Sequence, residues 1–151
     1  MIHLITRFLG FLRARPVSPT EQDQVTHILS PSLARLFYRQ CFQDQRHAFD
    51  VARRVAGRPE LHEAALLHDV GKSEVRLGAV GRSCATLWGM ASLPVWGRWR
   101  TYLMHASRGA ELLERHGAGN FSIVFTRHHP GPPPDGLDPA AWGALAHADE
   151  S

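Results

Sequence analysis

The stretch Ala64-Ala-Leu-Leu-His-Asp-Val-Gly-Lys72 decides the fold of this chain. Its apolar spacing predicts a short core helix that ends at Gly71, and it places Leu61, Ala65 and His68 on one buried stripe. Asp69 follows directly and also faces inward. A histidine and a carboxylate side by side inside a core cost free energy unless they are paired or bind a cation. The stretch therefore predicts a metal site at the end of a core helix.

Helical spacing of apolar residues recurs along most of the chain, and no alternation typical of a β-strand is sustained. A long helix is predicted from about Ser32 to Ala56, and capping patterns at Ser18-Pro-Thr-Glu and at Asp138-Pro139 predict two further helix starts. A length of 151 residues suits one hydrophobic core. The predicted fold class is an all-α, single-domain helical bundle. It divides into an amphipathic helix at 1–15, a linker with a short helix at 16–31, and a metal-binding domain at 32–151.

Composition excludes several classes of protein. Apolar residues make up 44% of the chain and charged residues 21%, as in ordinary globular proteins, and the net charge of +3 is mild. No cluster of basic and aromatic residues is typical of a nucleic-acid surface. The two cysteines form no CxxC pair, and no apolar run reaches membrane-spanning length. A cytoplasmic protein with reduced thiols is expected.

The N-terminal segment 1–15 carries apolar residues at helical spacing with arginines between them. Two interpretations are open. The helix docks on its own domain, which is favoured because short helices gain most of their stability from packing. Alternatively, it makes a peripheral contact with a membrane surface.

Three more histidines and one aspartate lie on the apolar sides of their predicted helices: His47, His105, His128 and Asp149. A single buried histidine is more often a satisfied core residue than a ligand. Four histidines and two aspartates turned inward from five helices are difficult to satisfy without a metal, and bundle cores commonly build metal sites from facing helices. Mixed imidazole and carboxylate ligands suit Fe, Mn, Zn, Ni or Co better than Ca. One or two divalent transition metals are expected.

The order of these residues resembles the HD metal-dependent phosphohydrolase superfamily. Leu67-His-Asp-Val-Gly-Lys72 is similar to its HDIG-type core, and the segment from His105 to Leu113 is similar to its third-histidine helix. Arg127-His-His129 resembles the paired-histidine segment, and Ala146-His-Ala-Asp-Glu150 resembles the closing segment. The resemblance covers about residues 40–151.

The resemblance implies a helical bundle around one or two metals. The first metal would be held by His47, His68, Asp69 and Asp149. The second would be held by Asp69, His105 and His128, with Asp69 bridging. His129 is either a further ligand or the general acid near the leaving oxygen, and His128 is preferred over it as the ligand. Asp69 and Lys72 are also predicted catalytic residues. Lys72 resembles a family lysine that helps hold a phosphate. A solvated lysine after a helix end is an equally compatible interpretation. Arg108, one turn after His105, is a second candidate for binding the substrate phosphate.

The resemblance implies hydrolysis of a phosphomonoester or phosphodiester, with a nucleotide or related phosphate as the small-molecule partner. Two alternatives stay open: a non-catalytic metal-binding domain for signalling or interaction, and a di-iron oxygenase of the HD type.

Three departures from the family pattern qualify these expectations. The proline-rich text after His129 contains no Gly-Tyr-Pro, which argues against cyclic di-GMP as the substrate. Position 43 is glutamine where a third metal would need a glutamate, and Asp44 is expected to be a solvated surface acid. Asp149 lies near the end of the sequence, so either it is weakly held or a homodimer partner braces it.

Overall fold

A computed structural model describes residues 14–74 and 105–151 of the chain. Helix α1 (Pro19–Ile28) begins at the predicted capping signal. Ser18 accepts from the backbone of Glu21, and the Glu21 carboxylate accepts from the backbone nitrogen of Ser18 at 2.7 Å. This reciprocal pair satisfies backbone donors that have no partner inside the helix. The capping pattern therefore predicted this helix start correctly.

The long helix predicted from Ser32 to Ala56 is wrong, because the chain forms two helices there. Helix α2 (Pro31–Arg39) and helix α3 (Phe42–Arg54) are separated by an extended backbone at Gln40 and Cys41. The amide of Gln45 donates to the carbonyl of Gln40 at 2.8 Å and to that of Tyr38 at 3.3 Å. Gln45 thus compensates carbonyl groups that the break leaves without a helical partner, and no glycine or proline is needed to end α2.

Helix α4 (His62–Leu67) follows a 3-10 turn at Pro59–Leu61. Every residue from Ala64 to Leu67 is buried, so this short helix runs through the core. After His68 the chain tightens into a second 3-10 turn, Val70–Glu74. The Lys72 backbone donates to the carbonyl of Asp69 at 2.9 Å, which turns the chain away from the helix axis immediately after Asp69.

Helices α5 (His105–Arg115), α6 (Asn120–His128) and α7 (Pro139–Glu150) complete the described bundle. The predicted start of α7 is confirmed, since Asp138 accepts from the backbone nitrogen of Ala140 at 2.9 Å. Helix α5 packs closely on α6 and on the turn Val70–Glu74. Gly109 makes this approach feasible: a Cβ there would lie 2.9 Å from Cγ2 of Thr126 and 3.1 Å from the backbone nitrogen of Gly71.

The core surrounds α4, which contacts α2, α3 and α6, while α7 packs on α3. Its largest fully buried side chains include Phe37, Leu66, Leu113, Phe125 and Leu145, each from a different helix. The described residues form seven α-helices and no strand, so the all-α bundle is confirmed. Most of the predicted helix at 1–15 lies outside the described residues, and all of the segment 75–104 does. Within the described ranges, no helix has the length and apolar character needed to cross a membrane.

Candidate metal centre

Asp149 gathers three histidines from three different parts of the chain. Its Oδ1 lies 2.7 Å from Nε2 of His47 and 3.2 Å from Nε2 of His68. Its Oδ2 lies 2.8 Å from Nε2 of His129. The two carboxylate oxygens therefore face different partners, with His47 and His68 on one side and His129 on the other.

His68 is oriented by the helix that it ends. Its Nδ1 lies 2.9 Å from the carbonyl oxygen of Ala65, and because a carbonyl can only accept, Nδ1 carries a hydrogen. In the neutral ring the lone pair is then on Nε2, which is buried and satisfied by no hydrogen bond within the described ranges. That nitrogen faces Oδ1 of Asp149 at 3.2 Å and Oδ2 of Asp69 at 3.6 Å. An acceptor that faces two acceptors marks a place for a cation.

The charges around His68 favour the same conclusion. Burial by itself lowers the pKa of His68, but the carboxylates of Asp69 and Asp149 outweigh it and raise that pKa above the usual value. The local field therefore favours positive charge at Nε2, whether a proton or a metal ion carries it.

The pKa of Asp149 moves in the opposite direction. Burial acts to raise it, but the imidazoles of His129, His47 and His68 beside the carboxylate hold it far below the usual range of a carboxyl group. Asp149 is consequently an anion at any pH near neutrality. Arg54 of α3 donates to the carbonyl of Ala148 at 3.2 Å, which fixes the end of α7 beside the histidines.

Three of these residues have ligand atoms within 4.8 Å of one another: His47, His68 and Asp69. Together they could hold a metal ion, and Asp149 lies within hydrogen-bond distance of His47. Two imidazoles and two carboxylates make a donor set that suits divalent transition metals. The hydrogen bond from Nδ1 of His68 to a backbone carbonyl is the support that metal-binding histidines usually have.

Lys72 lies at the outer edge of this group. Its ammonium contacts Oδ2 of Asp69, and its side chain is 20% exposed. His47 is 30% exposed, whereas the side chains of His68, Asp69 and Asp149 are each below 10%. Solvent therefore reaches the cluster on the side of His47 and Lys72.

The structure brings His129 to the cluster and leaves His128 exposed, contrary to the order of preference inferred from the sequence. The reason is the stripe that α6 turns inward. Phe121, Phe125 and His129 follow at intervals of four, and the rings of Phe125 and His129 stack at 4.8 Å. The sequence favoured His128 because it lies four residues after Val124, but Val124 is on a neighbouring face of α6 that is only partly buried. The burial of Phe125, four positions before His129, was the signal that distinguishes the two.

His129 makes its contacts within the cluster, and its role as general acid stays a prediction. Its Nε2 is engaged by Asp149, and its Nδ1 is buried without a hydrogen-bond partner among the described side chains. Neither ring nitrogen is available to a substrate in this arrangement. A proton donor for a leaving group has to be within hydrogen-bond reach of that group.

Two further predicted site residues, His105 and Arg108, belong to α5. His105 begins α5, but its side chain lies outside the described residues, so its predicted role as a ligand stays a prediction. Arg108 is exposed on the same helix. Asp44 is buried, which corrects the expectation of a solvated surface acid: it lies on the inward face of α3, with Ala48 four residues later at the same depth.

Sequence reasoning missed one acidic residue that holds two site-bearing helices together. Oε1 of Glu63 in α4 accepts from the backbone nitrogen of Gly119 and from the hydroxyl of Ser122, each at 2.7 Å. Gly119 precedes α6 and has no side chain of its own to cap that helix. An anion from another helix thus takes the capping position. The partners are more than 50 residues apart in sequence, so no local pattern predicts the contact.

Comparisons of this chain with protein-family models, with curated proteins and with solved structures find no match.

Proposed function

We propose that this chain is a metal-dependent phosphohydrolase of the HD type that acts on a nucleotide or a related phosphate ester. One observation carries the proposal: His47, His68, Asp69 and Asp149 converge from three segments, and Nε2 of His68 has its lone pair aimed at two carboxylates. The ordered sequence motifs that resemble the HD superfamily support the same function.

His47, His68, Asp69 and Asp149 would hold the cation. When bound, a divalent transition metal supplies an activated water and positive charge against the phosphoryl oxygens. The side chains of the site would retain the cation and keep its ligand atoms available. Asp69 and Asp149 provide the negative charge that retains the cation, and the Ala65 carbonyl keeps Nε2 of His68 available as a ligand.

Lys72 would bind the phosphate. Its ammonium lies at the more exposed edge of the cluster, next to the carboxylate of Asp69. A phosphate that approached on the side of His47 and Lys72 would meet this positive charge first, and electrostatic attraction would orient it toward the metal. Arg108 is exposed one turn beyond the start of α5 and would add a second positive contact from that helix.

The test combines metal content with turnover. Purified protein would be loaded separately with Mn²⁺, Fe²⁺, Ni²⁺ and Zn²⁺, analysed by elemental mass spectrometry, and assayed on p-nitrophenyl phosphate, bis-p-nitrophenyl phosphate and a panel of nucleotides. We expect Asp69→Ala to lose both bound metal and hydrolysis. Asp23→Ala, which changes an exposed aspartate of α1, is the matched control and should retain both.

Lys72→Ala separates the two parts of the proposal. We expect it to keep the metal and to lose hydrolysis by about tenfold to a thousandfold, because it removes one charge that faces the transition state. An Asp69→Ala protein with normal metal content and normal rate would refute the proposed function. Metal binding without hydrolysis of any phosphate ester would favour the non-catalytic alternative, and oxygen consumption with iron would favour the oxygenase.

A further inference from the structure

We propose that His129 is a positioning residue that fixes the carboxylate of Asp149, and that it is not itself a metal ligand. The proposal deepens the proposed function and rests on its metal site. It departs from the expectation that the paired histidines supply ligands to a second metal. His129 and His68 both end a helix and both face Asp149, but they make different hydrogen bonds.

The two rings are prepared for opposite tasks. His68 donates through Nδ1 to the carbonyl of Ala65, which leaves Nε2 as the acceptor that a metal needs. His129 contacts Oδ2 of the Asp149 carboxylate through Nε2 at 2.8 Å, and a carboxylate oxygen accepts, so Nε2 of His129 carries the hydrogen. Its lone pair is then on Nδ1, away from the cluster.

Exchanging the two nitrogens of His129 would be costly. To bind metal through Nε2, the ring would have to move its hydrogen to Nδ1, which is buried and has no hydrogen-bond partner in the described part of the chain. Buried N–H groups without an acceptor are rare because each forfeits the hydrogen bond that it made with water. The ring also stacks on Phe125 at 4.8 Å with an angle of 14° between the planes, which opposes rotation of the ring.

His47 does not face this restriction. Its Nε2 also contacts Asp149, but its side chain is 30% exposed, so water can accept the hydrogen of Nδ1 when Nε2 turns to a metal. His47 and His68 both approach Oδ1 of Asp149, while His129 approaches Oδ2. His129 therefore holds one oxygen of Asp149 and leaves the other directed at the two ligand histidines.

His129→Gln and His129→Ala test this assignment. A glutamine amide nitrogen reaches a position similar to that of Nε2 of histidine and can donate to Oδ2 of Asp149, but glutamine does not replace imidazole as a ligand for Zn²⁺. We expect His129→Gln to bind Zn²⁺ with wild-type stoichiometry and nearly wild-type affinity. We expect His129→Ala to keep the stoichiometry and to bind about 10- to 100-fold more weakly, as when an outer-shell partner of a ligand is removed.

The measurement is equilibrium titration of the full chain with Zn²⁺ against a chelating dye, with His128→Ala as the matched control. His128 is adjacent but exposed, so its variant should titrate like the wild type. If both His129 variants lose one equivalent of metal, His129 is a ligand and the inference is wrong, while the proposed metal site stands. If wild-type protein takes up no Zn²⁺, the inference and the proposed function fall together.

Discussion

Two carboxylates of this chain each gather several donors, one at the surface and one in the core. Glu21 accepts from both terminal nitrogens of Arg46 at 2.9 and 2.6 Å and from the backbone of Ser18 at 2.7 Å. Asp149 accepts from His47 and His129 and faces His68 at 3.2 Å. About a fifth of the Glu21 and Arg46 side chains is exposed, whereas the Asp149 side chain is 9% exposed.

The two groups differ in what the donors can do. Arginine stays protonated in proteins, and a backbone N–H keeps its hydrogen, so both partners of Glu21 are donors at any ordinary pH. The three histidines around Asp149 in the described part of the chain are imidazoles, whose hydrogens depend on tautomer and on proton or metal binding. We call the group formed by Glu21, Ser18 and Arg46 the surface clasp. Arg46 also donates to the carbonyls of Arg15 and Pro16, so this group connects the segment before α1 to α3. The buried group can exchange its protons for a cation.

The largest effect is expected when the centre of the buried group is removed. Asp149→Ala should lower the free energy of unfolding by about 3 kcal/mol and abolish metal binding, because His47 and His129 lose their acceptor and the proposed cation loses a carboxylate. Urea unfolding with and without Zn²⁺ measures both effects. Glu150→Ala, which changes the exposed neighbour, should stay within about 0.5 kcal/mol of wild type. Equal stability of the two variants would remove the distinction between the buried and the surface group.

A smaller loss of stability is expected from a change to the close backbone packing beside the buried group. Gly109→Ala would press a methyl group against Thr126 and the backbone of Gly71, two residues after Asp69, and should cost about 1 to 3 kcal/mol. Gly143 lies in α7 with open space around it, so Gly143→Ala should instead stabilise the protein by about 0.5 to 1 kcal/mol. Thermal unfolding of the two variants gives the sign of each change. We also expect Gly109→Ala to weaken Zn²⁺ binding, because the methyl group would displace the backbone two residues after Asp69.

The difference between local and distant interactions also explains how much the sequence could predict. Helix starts at Ser18 and Asp138 depend on residues within one turn, and both were predicted correctly. The inward placement of His68, Asp69 and Asp149 followed from helical periodicity, and these residues are buried as expected.

Features that depend on tertiary contacts were not predicted. The break at Gln40 is compensated by the side chain of Gln45 rather than marked by glycine or proline. The choice between His128 and His129 depended on which face of α6 meets the core, and a helix with apolar residues on several faces does not settle that from periodicity alone. The capping of α6 by Glu63 joins residues 56 and 59 positions apart.

The smallest predicted effect concerns the surface clasp and its dependence on pH. Hydrogen bonds from Arg46 lower the pKa of Glu21 from 4.5 to about 2. Because the folded-state pKa is the lower one, this stabilisation is fully present above pH 4.5 and is lost as the pH falls toward 2. Glu21→Gln should therefore cost about 1 kcal/mol at pH 7, less at high salt, and the difference from wild type should vanish near pH 2.

Urea unfolding across this pH range measures the difference, with Glu60→Gln as the control. Glu60 pairs with Arg58 at an exposed site and should matter less at every pH. A Glu21→Gln variant as stable as wild type at pH 7 would show that permanent donors at the surface contribute nothing measurable. The contrast with Asp149 would then rest on burial alone, and the character of the donors would have no part in it.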